Sequence, residues 1–213
     1  MTQTGLRDRK KLATKEALGR AALDLAAKNG LSSVTTDEIA NAANVSARTF
    51  FNYFASKEEA VMFVVDRAMA DVIAAFARRD RTEPVLDSLE STMLEFVEVS
   101  DDFFRVVSVV RLMADHPTLA PHHVSLQDSA TTTMLDEIAK RTGHDPRVDV
   151  FPRLVFHAAQ AVSLAAIELH VIGTGEMPDR QIIADSMRTG YQQLRDGLVQ
   201  PRQRHRTTAA GMD

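Results

Sequence analysis

Residues 34–59 read VTTDEIANAANVSARTFFNYFASKEE, and three helix starts stand within them. Thr35 followed by Glu38 is a capping box, in which the hydroxyl takes the third helical N–H and the carboxylate returns to the backbone of Thr35. Val34 and Ile39 hold the two positions of a hydrophobic staple, so a short helix should begin at Thr36. Ser46 is the next N-cap, with Val45 and Phe50 again in staple positions, and Ser56 with Glu59 is a further capping box that opens a long helix. Two short helices therefore meet at Asn44, and Asn is the non-glycine residue that best tolerates a left-handed backbone. Ala40 is small enough for a close helix crossing, and Phe50 is apolar for a shared core. Caps, turn residue, small residue and apolar partner at that spacing make a helix-turn-helix, whose second helix enters the major groove of DNA.

The flanking sequence reads as helix throughout, because Gly and Pro are few and apolar residues recur at three- and four-residue steps. A first helix is expected over residues 9–29, with Leu18, Ala21, Ala22, Leu25 and Ala26 on one stripe; Gly30 can close it in a left-handed conformation, with Leu31 as the apolar contact of a Schellman end. After the helix that runs to about residue 79, the periodicity predicts helices over 84–99, 101–114, 122–141, 148–172 and 179–199, the last two separated by the breaker GTGEMP. Nine helices and no alternating strand give an all-α fold. It divides into a three-helix DNA-binding domain over 1–57, a helical bundle over 58–200, and a basic tail over 201–213 that is expected to be disordered.

Composition bounds the function. With 45% apolar residues the 213-residue chain can bury a real core, and with no Cys neither disulfides nor a thiolate metal site carry the fold or the chemistry. The polar, basic N-terminus resembles no export signal, and no uncharged apolar run approaches the roughly 18 residues of a membrane span, so a soluble cytoplasmic protein is expected. Up to Lys57 there are nine Lys/Arg against five Asp/Glu, and beyond it sixteen against twenty-four. A basic head on an acidic body suits a polyanion, since displacing condensed counterions from phosphates favours binding whatever the sequence.

Residues 30–57 resemble the signature of the TetR family, in which a helix-ending Gly precedes a Thr-led second helix and a recognition helix closing on an aromatic, Phe, Ser and Lys. The resemblance implies an N-terminal DNA-binding domain and a C-terminal helical domain for dimerisation and a small-molecule effector. It also implies that Thr35, Thr36, Ser46, Thr49, Tyr53 and Lys57 meet the DNA backbone. Ala47, Arg48 and Asn52 fall on the remaining exposed face, where Arg can take a guanine edge and Asn an adenine edge. Phe51 stands where the family usually has Tyr, so it can pack on sugar or a thymine methyl but brings no phosphate donor. The segments RLMADHPTL and AKRTGHDP resemble the C-terminal domain of mycofactocin-type regulators. That implies either an acyl-CoA-type effector or merely shared helical packing.

The remaining side chains give weaker patterns. Met93, Phe96, Phe103, Phe104, Met113 and Met134 can line an apolar effector pocket or form ordinary core. His157 and Gln160, with Glu168 further on, lie near one face of an otherwise apolar helix, where they bind a polar effector group or serve a dimer interface. Leu164 lies on that same helix, and Ile183, Met187, Tyr191, Leu194 and Leu198 form a stripe on the last one; together they are expected to make a two-fold, four-helix homodimer interface. Asp101 and Asp102 read as helix-capping charge rather than as a catalytic pair. The seven His show no metal-ligand spacing, and no phosphate loop, nucleophile elbow or dinucleotide fingerprint is present, so neither a metal, a cofactor nor an enzymatic reaction is expected. The partners expected are operator DNA, a second copy of the chain and a small apolar or amphipathic effector. The rivals are a helical enzyme or carrier with an incidental basic head, and an architectural DNA protein without an effector.

Overall fold

The computed structural model describes residues 3–172 and 179–199. Helix α1 (Gln3–Asn29) starts six residues before the predicted position, because the Lys, Arg, Leu and Ala of its first turns favour helix even without an apolar stripe. Arg7 therefore joins Arg9, Lys10 and Lys11 as exposed charge on a helix. Gly30 has positive φ but extended ψ (79°, 138°), so the chain leaves α1 straight into a short 3-10 turn, Leu31–Ser33, and not through a Schellman end. Leu31 is nonetheless buried.

Helix α2 (Thr36–Ala42) begins on the complete Thr35–Glu38 capping box, and α3 (Ala47–Phe51) on the Ser46 hydroxyl, which accepts the Thr49 N–H at 3.1 Å. Asn44 between them has φ 55°, and the Val45 N–H closes the turn onto the Ala40 carbonyl at 2.9 Å. Ser56 caps α4 (Lys57–Arg78), but the Glu59 carboxylate accepts from Ala55 N at 2.7 Å, one residue earlier than a standard box.

Two cores meet inside α4. The first joins Leu18, Ile39, Ala40, Phe50 and Phe54 to Ala60–Val64 of α4, and to Val109 and Leu119 from farther along the chain. The second begins at Val72 and Phe76 and gathers α5 (Val85–Val99), α6 (Asp102–Asp115), α7 (Ala120–Thr142), α8 (Phe151–Ile167) and α9 (Arg180–Arg195). Glu168–Ile172 continue α8 as a π turn. The breaker at 173–178 and the basic tail at 201–213 lie outside the described residues. At the start of α6 Asp101 is the N-cap residue and Asp102 lies in the first turn, where the helix N-terminus favours negative charge, while the Ser100 hydroxyl accepts the Asp102 N–H at 3.2 Å and Asp102 pairs with Arg105. Helix α9 ends early, at Arg195, because Gly197 and Leu198 both adopt positive φ in a Schellman closure, with Leu198 N on Gln193 O at 2.8 Å and Gly197 N on Leu194 O at 3.2 Å.

The far end of α4 is tied down by Glu83. Arg79 donates to its two carboxylate oxygens at 2.7 Å each, and the Ser88 hydroxyl donates at 2.7 Å. Arg141, from the end of α7, lies over the Phe76 ring at 5.3 Å and donates to the carbonyls of Asp80 and Glu83. The Arg79 bonds, then the Ser88 bond, hold the Glu83 carboxyl down to about 2 from 4.5. A depressed carboxyl stabilises the fold fully above its unfolded value and ceases to do so as pH falls through its folded value. The melting temperature of the protein should therefore exceed that of Glu83→Gln by a constant margin above pH 4.5, and this margin should shrink toward pH 2. A margin independent of pH would show that the carboxylate charge is not what anchors this joint.

Candidate nucleic-acid interface and effector cavity

Burial of Ile39, Ala40 and Phe50 in the first core turns the opposite side of α3 outward. Arg48 and Asn52 are exposed there, and Arg48 makes no hydrogen bond or ion pair among the described residues. Phe51 is 59% exposed and meets Phe50 edge-on at 5.4 Å, while Ala47 is half-buried beside them. The side chains expected at phosphates already have work within the head. Thr35 Oγ1 donates to Glu38 at 2.8 Å, and the Thr35 backbone and hydroxyl bonds hold that carboxyl below the usual range. Ser46 and Thr49 hydroxyls bond each other at 2.8 Å. The Lys57 ammonium donates to the Val34 carbonyl at 2.9 Å and the Ser32 carbonyl at 3.4 Å, which pins the start of α4 to the connection before α2. Thr36 and Tyr53 are half-buried, Tyr53 packing on the first core.

Between α4, α5, α7 and α8 lies a cavity of about 250 Å³. Of the side chains expected in an effector pocket, Met93, Met134 and Gln160 line it. His157 does not: it is exposed, with its ring nitrogen 3.3 Å from the Gln160 carbonyl oxygen. Phe96, Phe103 and Phe104 pack on one another instead, with centroids 6.1 and 5.4 Å apart, and the Arg180 guanidinium stands 4.5 Å over Phe104. Met113 packs on the first core. These aromatics sit on helix faces turned away from the cavity, a direction that composition does not reveal. Missing from the sequence reading are Val65, Asp66, Met69 and Ile73, because α4 reads as a connecting helix although its inner face walls the cavity.

The α9 stripe is turned inward. Ile183, Met187 and Tyr191 are fully or almost fully buried within the protomer, and burial pushes the Tyr191 phenol well above its ordinary range. A single apolar stripe can cover a single surface, and the chain's own second core takes this one, so these three have no surface to offer a second copy. Leu194 is half-buried against the same core, and Leu198 lies beyond the helix end, 67% exposed. The outward apolar surface belongs mainly to α8: Leu154, Ala161, Leu164, Ala165 and Leu169 are exposed, as is Glu168 at its end. Of these, Ala161, Ala165 and Leu169 border a shallow groove with Ile182, Thr189 and Gly190 of α9. Gly190 lets the two helices touch, since a Cβ there would lie 2.7 Å from Val162 Cγ1. Ala158, Ala161 and Ala165 at helical spacing were the available signal for this face. By length and composition Phe151–Val171 is apolar enough to cross a membrane, with mean hydropathy 1.5, but α5, α7 and α9 pack against it.

This architecture has relatives. The profile for bacterial regulatory proteins of the tetR family matches residues 19–61, and that for the MftR C-terminal domain matches residues 83–199. The chain is 30% identical over 165 residues to the HTH-type transcriptional regulator TcmR of Streptomyces glaucescens, covering 74% of this chain and 73% of that protein. Among solved structures, the fatty acid degradation regulator FadR of Bacillus halodurans superposes with a TM-score of 0.61 at 16% identity, covering 88% of this chain and 97% of its own. Thermus thermophilus FadR, solved in complex with lauroyl-CoA, gives 0.53 at 18% identity, covering 93% of this chain and 100% of its own. A helix-turn-helix head on an all-helical body, matched by both profiles along most of its length, places the chain in the tetR family of bacterial transcriptional regulators.

Proposed function

We propose that two copies of the chain bind a palindromic operator as a repressing homodimer in the cytoplasm, and that a small apolar or amphipathic molecule in the α4–α5–α7–α8 cavity releases them. The observation that carries this reading is the continuity of α4. Its first two turns supply Ala60–Val64 to the core of the head, and its next turns supply Met69 and Ile73 to the cavity wall. A rigid helix shared by both sites cannot move at one without moving at the other. The exposed α8 face with the α9 flank supports the dimer, whose heads must then lie about 34–36 Å apart to meet successive major grooves. A ligand favouring the splayed dimer about a hundredfold contributes about 2.7 kcal/mol per saturated site, enough to lower operator affinity substantially. The lauroyl-CoA bound by Thermus thermophilus FadR supports a ligand-responsive body on this fold.

Gel-shift of DNA from upstream of the protein's own gene, at two salt concentrations, tests the reading. A discrete complex that resists competitor DNA and weakens with salt is expected. Binding without sequence preference would instead make the protein architectural, and no binding would overturn the reading that it represses its own gene.

A further inference from the structure

Resting on that reading of the cavity, we infer that its ligand is a small apolar molecule bearing a protonated amine, not an anionic acyl thioester or carboxylate. Most of the wall is apolar, including Met69, Ile73, Met134 and Phe156, so it takes a hydrocarbon body. At about 250 Å³ it falls below the roughly 300–1,000 Å³ of drug-sized pockets, which excludes a nucleotide-bearing ligand lying wholly within it. Among the lining side chains the one with a full charge is Asp66; no Lys or Arg lines the cavity, and His123 is the other ionisable group.

Asp66 is exposed at the mouth of the cavity and forms no hydrogen bond or ion pair among the described residues. With Leu126 it also borders the adjoining cleft toward the head, which Lys15, Glu59 and His122 line as well. The ammonium of Lys15 stands 4.4 Å over Phe63 and 5.3 Å over Phe54, so it faces rings and forms no ion pair with Asp66. An anionic ligand leaving the cavity here would meet Asp66 and Glu59. An ammonium would meet its counter-charge.

The buried Thr92 hydroxyl points to the same chemistry. Thr92 donates its proton to the Ser88 carbonyl at 2.7 Å, and Ser163 donates to the Ala159 carbonyl at 3.3 Å. Thr92 therefore presents lone pairs, which call for donors, while Ser163 also meets the Tyr191 phenol. Gln160, whose carbonyl oxygen faces His157, and Gln127 are the lining amides left with N–H groups for an acceptor.

Titration of the full-length protein at pH 7 with decylamine, decanol and decanoate, read by calorimetry and thermal shift, separates the possibilities. Decylamine is expected to bind at least fivefold more tightly than decanoate. In Asp66→Asn that ratio should collapse toward one while decanol binding is unchanged. Decanoate binding as well as decylamine, or a ratio unaltered in Asp66→Asn, would overturn the charge inference. Ala159→Phe, which fills the cavity, tests the underlying reading separately: decanol binding that survives it would place the ligand elsewhere and remove both. Failure of all three probes to bind would also overturn both.

Discussion

Replacing Ala161 and Ala165 together by Glu is expected to leave a folded helical monomer that no longer binds its operator specifically. Both positions are exposed in the protomer, so the carboxylates stay in water when the chain is alone and the cores are untouched. In the proposed two-fold interface the small side chains let the facing helix approach, and the double substitution would bring four carboxylates into it without counter-charges. Each buried, unpaired charge costs several kcal/mol, so the dimer constant should weaken by orders of magnitude. Specific affinity falls with it, because a monomer engages a single half-site and loses the effective concentration that the dimer confers on the second. Sedimentation, circular dichroism and gel-shift together read the result. A double variant that remains dimeric with undiminished operator affinity would move the interface off α8. Leu198→Glu should do much less, since Leu198 lies beyond the end of α9.

The second large effect is expected from Arg48→Ala. Arg48 is exposed near the start of α3 and has no partner within the described residues, so its guanidinium is free for a ligand. A bidentate contact to guanine discriminates by about 1–3 kcal/mol, and a two-fold dimer makes it twice, so operator affinity should fall roughly thirtyfold or more. Selectivity should relax at one base pair of each half-site and hold elsewhere. Uniform weakening on every sequence, with a shallower salt dependence, would instead identify Arg48 as a phosphate contact. The variant should fold normally, as the side chain is exposed.

The helix-turn-helix was legible because everything that makes it lies within a few residues. The Thr35 cap, the Asn44 turn, and the Ser46 and Ser56 caps are hydrogen bonds and backbone preferences that neighbouring residues satisfy among themselves. Where reading failed locally, a competing local group had won: Gly197 closed α9 before Leu198 could join its stripe. Arg9, Lys10 and Lys11 were legible as helix, but the residues before them, Arg7 included, were legible only as charge, since a solvated helix has no apolar stripe to announce it.

The sequence by itself determined the order and type of the helices and the outward placing of Arg48 and Asn52, because local hydrogen bonding and the 3.6-residue period decide both. Only the tertiary structure decided which apolar side chains face the chain's own core, the cavity or another molecule. Ile183, Met187 and Tyr191 are chemically equal to an interface stripe yet are buried within the protomer, while the smaller Ala161 and Ala165 stay outside. Apolar burial is non-directional, so one pattern satisfies any partner surface, and the assignment waits on how the helices stack.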